Sequence, residues 1–310
     1  TNEAAGIDNA SVIIDPIDGY GDAGFIRNMM RTENPDAIFL ITDPRYFVWL
    51  FDIENEIRKT TPIIYLNIWD DFPVPLYNKP YYESCDALLG ISKQTVLINK
   101  LALGDKAKGK IIEYVPHGIN TKIFHPLEKE DIELQELRKK VDFTLFFNSR
   151  NIRRKQIPDT LLAFKYFLDK LPKEKANKCR LLLHTEPVSD HGTNLVAVRD
   201  YLFGKKSKNI IFSTSKITPQ ELNKMYNLAD GQILLTSNEG WGLSLTEALI
   251  TGTPIIANVT GGMQDQMRFE DEDGNWFIPS KEVPSNHTGK YKKHGKWAFP
   301  VYPTNRSLQG

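Results

Sequence analysis

Short continuous apolar runs alternate with amphipathic segments along most of the chain, and this alternation predicts strands and helices in turn. Four such runs lie in the first part of the chain, at 35–42, 62–68, 87–91 and 110–115. A strand that is apolar throughout is typical of a parallel sheet covered on both faces. Ser92 follows the third run and is placed to cap a helix that extends to about residue 103. The first part is therefore predicted to be a parallel α/β sheet.

Three elements are predicted on weaker patterns near the start. Residues 12–15 indicate a short strand, residues 22–31 a helix and residues 46–59 a longer helix. The pattern begins abruptly, and we expect that the first strand, loop and helix of this domain are missing.

A stretch rich in turn-forming residues, 116–126, interrupts the alternation. We place the domain boundary after it, and predict an incomplete first domain at 1–127 and a second domain at 128–310. The alternation then restarts with a helix at 160–171, and a later helix begins with a capping box formed by Thr218 and Glu221. Strands are predicted in the second domain at 143–147, 180–184, 210–212, 233–236 and 254–257.

The pattern weakens after Gly262. Residues 280–310 are rich in Lys, Pro, Gly and aromatic residues and have no clear period. Because a compact domain does not normally end in this way, we expect that the final helices of the second domain are missing.

The composition is that of an ordinary soluble globular protein, with 41% hydrophobic and 25% charged residues. Lys plus Arg equal Asp plus Glu, 39 each, so the net charge provides no argument for a nucleic-acid partner. The charge is uneven, however: residues 1–130 carry 13 basic and 19 acidic side chains, a net of −6, and the remainder carries 26 and 20, a net of +6. Chance and an anionic ligand on the second half both explain this asymmetry.

The two cysteines, Cys85 and Cys179, lie far apart and have no metal-ligand spacing, which favours a reducing, cytoplasmic location. No apolar run reaches the roughly 18 residues that span a bilayer, and no signal-peptide pattern opens the chain. The six histidines have no metal spacing either, and His117 and His125, beside the interdomain turn, are interpreted as structural. No metal or cofactor is therefore predicted.

One stretch combines a glycine-rich corner with two carboxylates. Glu239 and Glu247 bracket the corner Gly240–Trp241–Gly242, which follows a predicted buried strand and opens into a helix. The free backbone N–H groups of such a corner suit a phosphate, and the carboxylates can accept hydrogen bonds from sugar hydroxyls. These features together predict a nucleotide-sugar site. The structural alternative is that Ser244 and Glu247 form a capping box and only close the helix.

A basic loop follows the first strand of the second domain. Arg150 is a planar donor and Lys155 a point charge, and the two can converge on a diphosphate. A solvated basic loop is the alternative. Because this loop and Glu239 both follow strands of one parallel sheet, they are predicted to meet at its carboxyl edge.

A third polar cluster, Trp69, Asp70 and Asp71, follows a strand of the first domain. An Asp at this place can orient an acceptor hydroxyl. A polar turn without a function is the alternative.

The segment 239–247 resembles the E-x7-E motif of the retaining glycosyltransferases with the GT-B fold, the large family 4 group (glycosyl transferases group 1). Four further segments are similar to that family: 115–124 to its domain exit, 226–230 to its "Y..AD" segment, 248–257 to its "EA…G.PVIA" continuation, and Gly261–Gly262 to its glycine pair. The resemblance covers roughly residues 35 to 275. It implies two Rossmann-like domains that face a central cleft, with the donor on the second domain.

The resemblance also implies roles for individual residues. Glu239 would face the transferred sugar, Glu247 would hold the ribose hydroxyls, and Arg150 with Lys155 would stabilise the departing diphosphate without a metal. The donor-binding residues expected from the resemblance and from backbone contacts to the base are Gly240, Trp241, Gly242, Leu243, Glu247, Ser215, Lys216 and Ile217. Trp69 and Asp70 are expected on the acceptor side.

The chain departs from the family pattern in three places. Trp69 stands where many members carry a His, and Gln156 stands where a Gly usually follows the phosphate-binding Lys. The N-terminal glycine-rich loop that approaches the donor phosphates in the family has no counterpart here, which puts the activity of this chain alone in question.

The sequence thus predicts a retaining glycosyltransferase that moves a sugar from a nucleotide-sugar to a saccharide, lipid-linked or other hydroxyl acceptor. Peripheral membrane contact is expected only through a missing N-terminal part. The alternatives are a GT-B sugar-nucleotide epimerase or phosphorylase, and a degenerate nucleotide-sugar-binding protein without turnover.

Overall fold

The computed structural model describes residues 11–128, 136, 138–139 and 141–304 of the 310-residue chain. Within them, strands and helices alternate as the apolar pattern predicts. The strands are β1 Ile38–Ile41, β2 Ile63–Asn67, β3 Ala87–Gly90, β4 Ile111–Tyr114, β5 Phe143–Asn148, β6 Cys179–His184, β7 Ile210–Ser213, β8 Gly231–Leu234, β9 Ile255–Asn258 and β10 Ala298–Val301. The α-helices are α1 Ala23–Glu33, α2 Val48–Phe51, α3 Glu54–Ile57, α4 Lys79–Ser84, α5 Lys93–Leu103, α6 Ile157–Asp169, α7 Lys173–Ala176, α8 Leu195–Phe203, α9 Pro219–Leu228, α10 Leu243–Ile250 and α11 Met263–Met267.

The described strands form two parallel sheets, which define two lobes of the molecule. The first sheet has the order β1-β2-β3-β4, and the second has the order β10-β9-β8-β5-β6-β7. Every strand pair in both sheets is parallel. The predicted α/β class with parallel sheets is confirmed.

The second sheet reverses its direction of winding between two central strands. β5 pairs with β6 on one side and with β8 on the other, where Leu145 lies opposite Gly231. In a doubly wound sheet, the loops that leave the carboxyl ends of two such strands diverge to opposite faces, and a ligand crevice opens between them. The basic loop after β5 and the glutamate corner after β8 leave the sheet at this point.

Each lobe has its own apolar core. The larger core belongs to the second sheet and includes Phe146, Phe147, Phe164 and Leu245. Phe124, which precedes the predicted domain boundary, also packs in this core. The boundary after residue 127 stays a prediction.

The predicted helix starts are well supported by capping contacts. Ser92 Oγ accepts the N–H of Thr95 at 3.0 Å and caps α5. Thr218 and Glu221 form the complete capping box that begins α9. These predictions are confirmed because a cap depends on residues only three positions apart, which the sequence displays directly.

Three local predictions are wrong. Residues 12–15 form no strand, and the helix predicted at 46–59 is divided into a 3-10 turn and the one-turn helices α2 and α3. The pattern of residues 280–310 predicts no strand, yet β10 lies within them and pairs with β9. β10 has only four residues at the edge of the sheet and includes Pro300, which masked its pattern.

Candidate functional site

A cavity of about 1220 Å³ lies between the two lobes. Its lining residues follow the carboxyl ends of β1, β2 and β3 in the first sheet and of β5 to β8 in the second. The two sheets thus place their ligand-binding edges on the same space. Most of the predicted site residues line it, namely Trp69, Asp70, Arg150, Lys155, Ser215, Lys216, Glu239, Gly240, Trp241, Gly242, Leu243 and Glu247.

The glycines around Glu239 permit unusually close backbone contacts. A Cβ on Gly261 would lie 2.0 Å from the carbonyl oxygen of Glu239, and a Cβ on Gly262 would lie 2.3 Å from that of Gly240. The N–H of Gly262 donates to the carbonyl of Glu239 at 3.2 Å. A Cβ on Gly240 would lie 2.9 Å from the carbonyl oxygen of Ile68 in the other lobe. The glycine pair therefore supports the corner from behind, and Gly240 lets the corner approach the first lobe.

The corner leads into α10 without a side-chain cap. Gly242 has a φ of 86°, and within the described residues no side-chain hydrogen bond caps the first turn. Leu243 and Ser244 at this end line the cavity. A helix end of this kind presents unpaired N–H groups and the positive end of its dipole, which suits an anion.

The capping-box alternative for Glu247 is not formed. α10 begins at Leu243, so Ser244 lies inside the helix and Glu247 lies a full turn from its start. The hydroxyl of Tyr226 donates to Glu247 Oε2 at 2.5 Å, and the amide of Asn148 donates to the Tyr226 hydroxyl at 2.9 Å. Burial raises the pKa of the Glu247 carboxyl, and the bond from Tyr226 opposes this shift. Glu247 is thus oriented at the cavity by a tyrosine from α9.

Glu239 is paired with two cations of the basic loop. Its Oε2 accepts from Arg154 at 3.0 Å and from Lys155. The side chain of Lys155 is only 8% exposed and that of Glu239 15%, whereas that of Arg154 is 37% exposed. Burial lowers the pKa of the Lys155 ammonium, and the negative charge of Glu239 counteracts this effect. The ion pair between Lys155 and Glu239 therefore keeps two opposite charges buried at the wall of the cavity.

The structure brings Lys155 to Glu239 at the edge of the sheet, and Arg150 lines the same cavity. Arg150 is exposed at the cavity, and Arg154 is the arginine that contacts Glu239. Arg154 also donates to the carbonyl of Asn238 at 2.5 Å. The 3-10 turn 153–155 orients these side chains, and it ends at Gln156 with a φ of 47°. This left-handed conformation favours glycine, which explains why the family usually carries Gly at that position.

The first-lobe wall contains Trp69 and Asp70. The N–H of Trp69 donates to Asn67 Oδ1 at 3.0 Å, and its indole donates to the carbonyl of Asp71 at 2.9 Å. Burial raises the pKa of Asp70 to about 6, and the charge of Arg154 opposes the shift. Asp70 therefore lies within the electrostatic influence of Arg154 and Glu239 of the second lobe.

The far end of the cavity follows β6 and β7. Ser215 and Lys216 line it and are exposed, whereas Ile217 is half-buried and lies outside the lining. His184 bonds to the Ser213 hydroxyl at 3.0 Å through Nδ1. The buried hydroxyl of Thr185 has no hydrogen-bond partner among the described residues. The nucleobase role predicted for 215–217 stays a prediction.

Sequence reasoning missed several residues of this cavity. His117 lines the cavity, although its place beside the interdomain turn favours a structural role, and burial lowers the pKa of its imidazole. Arg154, Asn148 and Tyr226 also belong to the site. Arg154 had a signal in the sequence because it belongs to the basic loop, and Tyr226 because it opens the "Y..AD" segment. The contact from Tyr226 to Glu247 depends on how α9 packs on α10.

No group of three or more His, Cys, Asp or Glu is placed to hold a metal within the part of the chain that the structure describes. Among the same residues, no helix is both long and apolar enough to cross a membrane. The predicted independence from metal stays a prediction.

The chain is similar to known glycosyltransferases. The sequence profile of "Glycosyl transferases group 1" matches residues 128–283. An alpha-monoglucosyldiacylglycerol synthase of Streptococcus pneumoniae is 30% identical over 149 residues, which are 46% of this chain and 32% of that protein. An uncharacterised glycosyltransferase of Methanocaldococcus jannaschii is 24% identical over 147 residues, which are 47% of this chain and 36% of that protein.

Solved structures share the fold. The trehalose-6-phosphate protein from E. coli bound with UDP-2-fluoro glucose superimposes with a TM-score of 0.60 at 16% identity, covering 78% of this chain and 63% of that one. An Anabaena protein in complex with UDP and glucose superimposes with a TM-score of 0.58 at 13% identity, covering 86% and 71%.

Because the matched segment 128–283 amounts to half of the chain, the chain belongs to the glycosyl transferases group 1 family. Its fold is GT-B, with two parallel α/β lobes on either side of a cleft. The chain spans about a third of the length of the two relatives that match it in sequence.

Proposed function

We propose that this protein is a retaining glycosyltransferase of the family 4 type, which transfers a sugar from a nucleotide-sugar to a hydroxyl acceptor in the cytoplasm without a metal. The observation that carries the proposal is the contact between Glu239 and Lys155 at the switch point of the second sheet. Two motifs more than eighty residues apart in the chain meet in one cavity, and together they provide a carboxylate and cations.

The donor diphosphate lies, in this proposal, between the basic loop and the first turn of α10. Arg150 and Lys155 contact its oxygens, and the free N–H groups of Gly242 to Ser244 face the phosphate or the sugar. These groups stabilise the negative charge that develops on the diphosphate as the anomeric bond breaks. Arg154 keeps Glu239 oriented, so that the lysine is shared between the carboxylate and the phosphate.

The sugar and the ribose contact the two glutamates. Glu239, beside the glycine corner, accepts hydrogen bonds from hydroxyls of the transferred sugar. Glu247 holds ribose hydroxyls, and the bond from Tyr226 restricts its rotamer, so less entropy is lost on binding. In both carboxylates the protein's own donors bind Oε2, so Oε1 is left to accept hydrogen bonds from the donor's hydroxyls in this proposal.

The acceptor enters, in this proposal, from the first lobe. Trp69 and Asp70 lie on the first-lobe wall of the cavity that Glu239 also lines, and in this proposal Asp70 orients the attacking hydroxyl. The Streptococcus pneumoniae relative is named as the synthase of a glucosylated diacylglycerol, which supports a saccharide or lipid-linked acceptor in this proposal.

The test begins with the full-length protein and a panel of nucleotide-sugars. A donor that binds only the folded state raises the melting temperature, which identifies the base and the sugar. Release of the nucleoside diphosphate is then measured with and without sugar and glycolipid acceptors, and proton NMR of the product assigns its anomeric configuration. We expect an anomer with the configuration of the donor.

Two variants examine the site assignment. We expect Glu239→Ala and Arg150→Ala to lose turnover by at least about 100-fold. Wild-type turnover in both variants would refute the assignment. An epimerised donor without a transfer product would instead indicate a sugar-nucleotide epimerase, and binding without turnover would indicate a degenerate binding protein.

A further inference from the structure

The two lobes are joined beside the cavity by a buried carboxylate. Asp265, on α11 of the second lobe, is buried, and its Oδ2 accepts the backbone N–H of Lys93 at 2.8 Å. Lys93 is the first residue of α5 in the first lobe. A carboxylate at this position accepts an otherwise unpaired N–H and interacts favourably with the positive end of the helix dipole.

Side chains around Asp265 extend this contact. The Lys93 ammonium lies 3.3 Å from the ring centroid of Trp276 and donates to the carbonyl of Phe277 at 3.4 Å. Gln264 Nε2 donates to Gln94 Oε1 at 2.8 Å. We call Lys93, Gln94, Gln264, Asp265 and Trp276 the interdomain latch.

The interdomain latch is continuous with the site on both sides. Gln94 Nε2 donates to the carbonyl of Asp70 at 3.1 Å, on the proposed acceptor wall. Four residues before Asp265, Gly261 packs against the carbonyl of Glu239. Asp265 is therefore connected to the acceptor wall through Lys93 and Gln94, and to the corner of the donor site through Gly261.

We propose that Asp265 is a positioning residue whose contact with the start of α5 holds Glu239 and Asp70 at the separation that transfer needs and keeps water out of the cavity. This inference rests on the proposed function. Transfer and donor hydrolysis break the same bond, between the anomeric carbon and the diphosphate oxygen, which leaves with the electron pair. In transfer the new bond forms to the acceptor oxygen and in hydrolysis to a water oxygen, and the proton released goes to the diphosphate.

The interdomain latch therefore sets the ratio of the two reactions. An acceptor hydroxyl reacts only when the two walls hold it beside the donor, whereas water reaches the donor in a loosened cavity as well. Weakening the interdomain latch lowers transfer and leaves hydrolysis unchanged or raised.

The titratable groups around Asp265 make its contact with α5 sensitive to pH. Lys93 approaches it from α5, Tyr114 from β4, and Arg268 lies near Lys93 on the segment that follows α11. Burial raises the pKa of Asp265 to about 7, and Lys93 opposes the shift. Burial also lowers the pKa of Lys93 to about 8. The ratio of transfer to hydrolysis is consequently expected to fall as the pH drops below about 7 and the carboxylate is protonated.

The experiment compares Asp265→Ala and Asp265→Asn with the wild-type full-length protein. The probes are UDP-glucose, or the nucleotide-sugar with the largest thermal shift, and glucose and octyl glucoside as acceptors. Free sugar and glycoside product are quantified separately by chromatography. We expect the transfer-to-hydrolysis ratio to fall about tenfold in Asp265→Ala and about threefold in Asp265→Asn, which keeps an oxygen to accept the N–H of Lys93. The donor KM is expected to change less than about twofold.

Glu272→Gln is the matched control, since it removes an exposed carboxylate from the segment that follows α11. Its ratio should equal that of the wild type. An equal loss of both reactions in Asp265→Ala, or an unchanged ratio in the folded variant, would overturn the inference. If Asp265→Ala does not fold, Gln94→Met removes the bond to the Asp70 carbonyl and must lower the ratio in the same direction.

Hydrolysis without acceptor provides a separate readout. A rate in Asp265→Ala below one tenth of the wild-type rate contradicts the inference but leaves the proposed function standing. A wild-type protein that turns over no nucleotide-sugar would overturn the proposed function, and the inference with it.

Discussion

The two walls of the cleft are built in different ways. On the second-lobe wall, carboxylates are held by hydrogen bonds and ion pairs: Glu239 binds the cations Lys155 and Arg154, and Glu247 accepts from the Tyr226 hydroxyl. On the first-lobe wall, neutral groups hold the backbone instead. Asn67 accepts the N–H of Trp69, and Tyr65 donates to the carbonyl of Thr42 at 2.6 Å.

This difference indicates a division of labour. Lys155 and Glu239 of the second wall are buried and paired, and Arg154 adds a second cation, so the wall needs little reorganisation when a diphosphate replaces part of the pairing. The first wall fixes the shape of the backbone around Thr42 and Trp69 and contributes one carboxylate of raised pKa, Asp70. We therefore expect substitutions on the second wall to affect donor chemistry, and substitutions on the first wall to affect the acceptor.

The largest effect is expected from the buried lysine of the second wall. Lys155→Ala should lower kcat/KM for nucleotide-sugar turnover about 1,000-fold, since it removes a positive charge at the developing diphosphate. Nucleotide release in steady state measures this. Arg153→Ala is the matched control, because Arg153 is an exposed neighbour outside the cavity lining, and it should stay within about twofold. A loss below tenfold in Lys155→Ala would place the diphosphate elsewhere.

The next effect concerns the backbone that supports Glu239. Gly261→Ala should destabilise the protein by about 3 kcal/mol, since its Cβ would collide with the Glu239 carbonyl. Gly252→Ala is the control: Gly252 also has a positive φ, of 82°, but nothing lies within 4 Å of its Cβ. It should cost only about 1 kcal/mol. Urea unfolding measures both, and equal values would mean that backbone strain alone matters.

A smaller effect is expected at the second glutamate. Glu247→Gln should weaken nucleotide-sugar binding about tenfold, as a charged acceptor of hydroxyl hydrogen bonds is lost. Calorimetric titration measures the dissociation constant. Ser244→Ala distinguishes this role from helix capping and should change the free energy of unfolding by less than about 0.5 kcal/mol. A clear loss of stability in Ser244→Ala would restore the capping interpretation.

The smallest effect is a pH dependence on the first wall. Because the pKa of Asp70 is raised to about 6, its carboxylate is charged only above that pH, and transfer should decline as the pH falls from 7 to 5. Asp70→Asn should transfer more slowly and lose the part of this decline that is centred near pH 6, whereas the part that follows Asp265 near pH 7 should stay.

The same shift predicts a sign for stability. Between about pH 4 and 6 the folded protein holds a proton on Asp70 that the unfolded chain has lost, so the contribution of Asp70 to stability decreases as the pH rises through this window. Unfolding of wild type and Asp70→Asn at pH 4.5 and 7 measures the difference. A wild-type advantage that grows with pH would contradict the raised pKa.

The sequence by itself determined the features that depend on short spacings. Apolar runs indicated nine of the ten strands in the described part of the chain, Ser92 and Thr218 marked helix starts, and the polar clusters at strand ends indicated one ligand-binding edge. These succeed because periodicity and capping act between residues a few positions apart, and because parallel strands present their carboxyl ends together.

Only the tertiary structure decided which of these residues meet. The basic loop has several cations, and its local turn selects Arg154 and Lys155 for Glu239 and leaves Arg150 exposed. Because α9 packs on α10, the Tyr226 hydroxyl reaches Glu247. Because the two lobes approach each other, Asp265 reaches the backbone N–H of Lys93. Such contacts join residues 21 to 172 positions apart, where the chain path between them, and not their local pattern, fixes the distance.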